Sequence, residues 1–235
     1  MKHRDVSMIP QNSQRYHKTY LEQPLIDHDR KIIFVHIQKT GGTSITALFG
    51  LPAELPEKHF SALELRDLYG NGPWESYFTF SVVRNPWDRL VSWWAMIDAH
   101  RAEWQRGAQL NAFQTYVLER ATTFEEFLVH CGDEVRDGDG AKSINRNQLD
   151  YLVDENGTLM VDSVCRFERL AEDFQEVRNR TGITGTLPII NASRRRDYRH
   201  YYTEETRALV AERYARDIAF FGFQFDGGRA SPAVA

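Results

Sequence analysis

The chain has 235 residues, of which 42% are hydrophobic, 26% charged and 12% aromatic, and its net charge is −4. This composition excludes a disordered chain, a collagen-like repeat and a disulfide scaffold, and its acidic balance argues against a general nucleic-acid binder. A chain of this length buries enough surface to fold as one domain without staples.

Residues 1 to about 28 are polar and aperiodic. They read as an N-terminal arm, with no apolar stretch of the kind a secretory signal carries. Lys31–Ile37 (KIIFVHI) is a short β-branched run and reads as a buried strand. Lys39-Thr40-Gly41-Gly42 follows, then a helix over Thr43–Phe49 that Gly50 closes. Ser61 and Glu64 form a capping box, with Phe60 and Leu65 as a hydrophobic staple, and start a helix that Gly70-Asn71-Gly72-Pro73 ends. Tyr77–Val83 reads as a second strand. Asn85 then caps a long helix with Pro86 at its first position and Trp87, Leu90, Val91 and Trp94 on one apolar face.

A further helix is expected over about 109–120, and another after the capping box Thr123–Glu126. Residues 132–148 are polar and glycine-containing and read as a long loop. Val161–Phe167 reads as a third strand, Leu170–Arg180 as a helix, and Thr203 as the cap of a final helix with Leu209, Val210, Tyr214 and Ile218 inward. The tail from Gly227 reads as loose. Strands alternating with helices predict an α/β fold with a mainly parallel sheet, in one domain over 29–226. Cys131 and Cys165 read as two buried thiols, and no Cys/His cluster suggests a metal site. No apolar run reaches the ~20 residues needed to span a bilayer, so the default expectation is a cytoplasmic protein.

In such sheets the ligand crevice lies beyond the carboxyl ends of the strands. After the first strand stand Lys39, Thr40, Gly41, Gly42, Thr43 and Ser44. A two-glycine turn entering a helix offers bare N–H groups and the positive end of the helix dipole to an anion, and Lys39 adds a full charge. The order differs from a Walker A loop, in which the lysine follows the glycines and a hydroxyl binds magnesium. After the second strand, Arg84 and, two turns into the helix, Ser92 form a second candidate anion grip. The plainer reading pairs Arg84 with Asp88.

These residues carry a resemblance. FVHIQKTGGTS is similar to the 5′-phosphosulfate loop of sulfotransferases that use 3′-phosphoadenylyl sulfate (PAPS), and FSVVRNPWDRLVSWW is similar to their 3′-phosphate motif. CRFERL and the closing YYTEETRALVAERYARDIAFFGFQF resemble further segments of the carbohydrate sulfotransferases of heparan 2-O/6-O and chondroitin type and their bacterial counterparts. Gln38 stands where proline is commoner in that family. The resemblance spans roughly 31–226 and implies a P-loop-like, three-layer fold. It also implies PAPS as co-substrate without a metal and a small-molecule or glycan acceptor. Lys39–Ser44 would hold the phosphosulfate, and Arg84 with Ser92 the 3′-phosphate.

His59 is the first candidate for the base that deprotonates the acceptor. It lies just before the helix opened by Ser61, and KHFSALEL resembles the family segment carrying the catalytic histidine. His36 and Glu168 are rivals, read first as a buried hydrogen-bonded histidine and as a structural partner of an arginine. Arg194, Arg195, Arg196 and Arg199 are candidates to close over the 3′-phosphate or to bind an anionic acceptor. Trp87, Trp93 and Trp94 read as core, and Asn147, Gln148 and Tyr151 as residues near the acceptor. The alternatives are a small-molecule kinase and a non-catalytic nucleotide-binding module.

Overall fold

The computed structural model describes residues 25–51, 58–137, 140–142, 144–188, 190 and 195–227. In chain order these form β1 (Ile26–Asp27), β2 (Ile32–Val35), α1 (Gly42–Phe49), α2 (Ala62–Tyr69), α3 (Asn71–Ser76) and β3 (Phe78–Val83). There follow α4 (Pro86–Ala99), α5 (Arg101–Gln105), α6 (Ala112–Arg120), α7 (Phe124–His130) and the short strands β4 (Val135–Asp137) and β5 (Gly140–Lys142). β6 (Ser163–Arg166), α8 (Leu170–Thr181), α9 (Glu204–Arg213) and α10 (Ala215–Phe221) complete the set.

The main sheet has the order β1-β2-β3-β6. β2–β3 and β3–β6 are parallel, and β1 joins β2 antiparallel through Ile26↔Ile33 and Asp27↔Ile32. β2 is buried along its whole length because helices cover both faces of the sheet. On one face Ile32, Phe34, Phe80 and Val82 pack with Ile45 and Phe49 of α1 and Phe174 and Val177 of α8. On the other, Ile33, Val35 and Val83 pack with α2, α4, α6 and α7 through Leu65, Leu90, Val91, Val117 and Phe127. The alternation along each strand therefore sends side chains into two separate cores.

The capping signals form as expected. Ser61 accepts from the Glu64 N–H and Glu64 returns to the Ser61 N–H, while Thr123 and Glu126 repeat the pattern. Asn85 accepts from the Trp87 N–H at the head of α4. Cys131 and Cys165 are free buried thiols whose pKa burial pushes up to about 11 and about 12. Among the described residues no helix is long and apolar enough to cross a membrane.

Four elements depart from the sequence reading. The sheet takes in Ile26 and Asp27, inside the stretch read as an arm. Gly70 (φ 87°) does end α2, but Asn71–Ser76 form a further short helix. The expected loop over 132–148 contains the antiparallel pair β4–β5, whose three-residue strands are too short to show an alternation in sequence. The expected final helix breaks at Tyr214 (φ −111°, ψ 29°) into α9 and α10. That break lets Tyr214, Asp217 and Phe221 turn inward together, with the Tyr214 hydroxyl donating to the Ile144 carbonyl at 2.6 Å.

Candidate functional site

Because β2, β3 and β6 run parallel, the residues that follow them emerge side by side at one sheet edge. There a cavity of about 1240 Å³ opens between α1, the head of α4, α8, residues 185–188 and 190, and the segment 195–199. It brings together Lys39, Gly41, Gly42, Thr43 and Ser44 from the first loop and Arg84 and Ser92 from the second.

The first loop is shaped by two left-handed residues, Lys39 (φ 66°) and Gly41 (φ 89°). Glycine takes this conformation without steric cost, and a lysine there is uncommon. Gly42 serves a different end, because a Cβ on it would lie 2.1 Å from the ring of His36 beneath the loop. The two glycines therefore answer separate demands, one for backbone rotation and one for clearance. Helix α1 starts at Gly42 without any side-chain cap, so its N-terminus keeps a partial positive charge beside the cavity. Thr40 is turned inward, and its hydroxyl is buried and donates to the Ile37 carbonyl at 2.8 Å. Thr43 and Ser44 remain on the lining, where the Ser44 hydroxyl accepts from the Ile190 N–H at 3.4 Å.

Arg84 is buried and multiply held. Its guanidinium contacts Asp88 at 2.7 Å and 2.8 Å, donates to the Lys39 carbonyl at 3.0 Å and lies 4.0 Å above the Phe167 ring. Asp88 also pairs with Arg195, so one carboxylate serves two guanidiniums. The plainer sequence reading, an Arg84–Asp88 pair, is thus present, and it coexists with Arg84 facing the cavity. The backbone of Arg84 is held by Gln148, which accepts from its N–H at 2.8 Å and donates to its carbonyl at 2.8 Å. Glu168 accepts the Asn85 N–H at 2.6 Å, and desolvation pushes its carboxyl pKa up. That is a bracing role for Glu168 on the Asn85 backbone, and the nearby Arg84 charge also acts on its carboxylate.

Charge is concentrated here. Burial, then Arg84 and Arg195, lower the Lys39 pKa to about 8. The ammonium lies 5.9 Å from the centroid of the Trp93 ring. His36 is 3% exposed, its Nδ1 has no hydrogen-bond partner, and burial, then His59 and Lys58, lower its pKa to about 3. His36 lines the cavity. His59 is not among the residues that line the cavity; its ring stands edge-on to that of His36 at 5.1 Å between centroids.

Of the other sequence candidates, Trp87 and Trp94 belong to the core, and Arg195, Arg196 and Arg199 line the cavity. Arg194 lies outside the described residues. Asn147, Gln148 and Tyr151 do not face the cavity. Gln148 and Tyr151 are buried, and Asn147 accepts the Asp217 N–H at 3.2 Å. They are structural because this stretch packs against α10 instead of opening toward solvent. Sequence reasoning gave no site role to the wall contributed by Phe167, Leu170, Arg178, Leu187 and Ile190, of which only Phe167 and Leu170 lie in a segment with a family resemblance. Among the described residues no group of three or more His, Cys, Asp or Glu side chains is placed to hold a metal ion.

The fold and this cavity together define an α/β protein with a cavity lined by Lys and Arg side chains at the carboxyl ends of parallel strands. The model described as the sulfotransferase family matches residues 22–224, and the chain belongs to that family, whose general reaction is sulfuryl transfer. No curated protein and no solved structure matches the chain.

Proposed function

We propose that this sulfotransferase moves the sulfuryl group of PAPS to an acceptor hydroxyl on a carbohydrate or glycoconjugate. In this reading residues 29–226 are one cytoplasmic sulfotransferase domain with a P-loop-like fold, of the carbohydrate type and its bacterial branch. One observation carries it. Two cationic centres, Lys39 at the uncapped start of α1 and Arg84 at the end of β3, open on a single cavity that also has an apolar wall of Phe167, Leu170 and Leu187. PAPS presents a phosphosulfate at one end, a 3′-phosphate on its ribose and a flat base, and each has a chemical counterpart in that cavity.

The roles follow from charge. Gly41 to Ser44 receive the phosphosulfate through N–H groups and hydroxyls, with Thr40 shaping the turn through its bond to Ile37. Arg84 and Ser92 hold the 3′-phosphate. The acceptor oxygen attacks sulfur, the bond from sulfur to the bridging oxygen breaks, and 3′,5′-ADP leaves. Lys39 meets the charge that develops on the bridging oxygen. His59 accepts the acceptor proton. His36 faces the cavity, but a pKa lowered to about 3 makes it a weak base at neutral pH.

The test is thermal stability with 3′,5′-ADP, 5′-AMP and ATP with magnesium. A ligand at 100 times its dissociation constant adds about 2.7 kcal/mol, a readily visible shift. Selective stabilisation by 3′,5′-ADP without metal is expected. Stabilisation by ATP with magnesium alone would replace this reading with a kinase. Binding of 3′,5′-ADP without transfer to any acceptor would leave a nucleotide-binding module.

A pH dependence follows from Lys39. The free protein loses this charge near pH 8, while a bound anion raises the lysine pKa and favours the protonated form. PAPS affinity is therefore expected to be level below about pH 8 and to fall as pH rises above it. Lys39→Arg should remove that fall, because a guanidinium stays charged. A flat wild-type profile from pH 7 to 9.5 would show that Lys39 charge does not support binding.

A further inference from the structure

We infer that Gln148 is a positioning residue that sets the spacing between the two anion-binding centres, and so the preference for a ligand bearing two anionic groups. This rests on the nucleotide reading above. Gln148 is fully buried and makes no contact with the cavity. Its carboxamide brackets the Arg84 peptide from both sides: Oε1 accepts from the N–H and Nε2 donates to the carbonyl, each at 2.8 Å. β3 ends at Val83, paired with Arg166 of β6, so Arg84 is the first residue beyond the ladder and is fixed by a side chain instead of a strand.

The bracket is itself held. Asp217, 0% exposed, accepts from the Gln148 N–H at 2.8 Å, from Nε2 at 3.1 Å and from the Leu149 N–H at 2.9 Å. Asn147 accepts the Asp217 N–H at 3.2 Å. A carboxylate beside Nε2 fixes which end of the amide faces which atom of Arg84, because a flipped amide would set two oxygens against each other. Helix α10 is thereby connected to the guanidinium that faces the cavity, through Asp217, Gln148 and the Arg84 backbone. The same guanidinium donates to the Lys39 carbonyl, so a shift of the Arg84 peptide changes its distance from the first loop. A ligand with a single anionic group does not sense that distance, whereas one bridging both centres does.

The test compares dissociation constants of 3′,5′-ADP and 5′-AMP by calorimetry, on the full chain. The two differ only in the 3′-phosphate, so their ratio reports the Arg84 centre. Gln148→Met keeps the volume and removes both hydrogen bonds. It is expected to raise the Kd of 3′,5′-ADP relative to that of 5′-AMP by about tenfold while 5′-AMP binding stays at the wild-type value. Asp217→Asn loosens the bracket without touching Arg84 and should shift the ratio in the same direction; it stands in if Gln148→Met does not fold. An unchanged ratio in a folded variant, or an equal loss of both affinities, would overturn the positioning role. A wild-type protein that binds the two nucleotides equally would overturn the nucleotide reading instead.

Discussion

Lys39→Ala is expected to lower turnover by about 10²–10³-fold, the loss seen when one donor to a developing charge is removed. The lysine is suited to act late in the reaction. Its ammonium is desolvated and flanked by Arg84 and Arg195, so its charge is costly in the free protein and is best compensated when negative charge builds up beside it. For the same reason the substitution should not destabilise the fold, since it removes a poorly solvated cation rather than a packed side chain. The measurement is single-turnover transfer at saturating PAPS, with the melting temperature of the same sample. A rate close to wild type would remove Lys39 from the chemical step. A rate loss accompanied by a large fall in melting temperature would mark it as structural.

The second large effect is expected at His59. His59→Ala should cost about 10²–10⁴-fold in turnover, the range for a general base, while stabilisation by 3′,5′-ADP persists. The contrast is His36→Ala. The two ring centroids stand 5.1 Å apart, yet they differ in kind: His36 lines the cavity but is 3% exposed, with its pKa lowered to about 3. Removing it should disturb nucleotide binding through the packing of Gly42. If His59→Ala retained full activity while His36→Ala lost the rate and kept binding, the proton would go to His36.

Local signals made much of this arrangement legible. The boxes at Ser61–Glu64 and Thr123–Glu126 fix helix starts through atoms three residues apart, and both form. Lys39 to Ser44 and Arg84 announce themselves because glycines, hydroxyls and cations stand where β-branched runs stop. What stayed hidden depends on distant partners. Gln148 lies in a polar stretch with no pattern, and its role arises only when α10 brings Asp217 beneath it. The strands of the β4–β5 pair are three residues each, too short for a period-two reading to register. Asp88 was visible as an i, i+4 partner of Arg84, but its second partner Arg195 lies 107 residues away in sequence. The apolar wall comes from the turn before α8, from α8 and from the segment after it, brought to the loop by the parallel order of the strands.

The close fit of Gly42 against His36 has a consequence for how this chain can vary. Every residue other than glycine would place an atom 2.1 Å from an imidazole that is itself stacked on Phe34 and bounded by His59. Any side chain at position 42 therefore requires the His36 ring to move. A smaller residue at 36 would make room for one, at the cost of a void under the loop. The two positions are therefore not independent letters: they form one steric unit, and a side chain at position 42 is acceptable only in the company of a change at position 36.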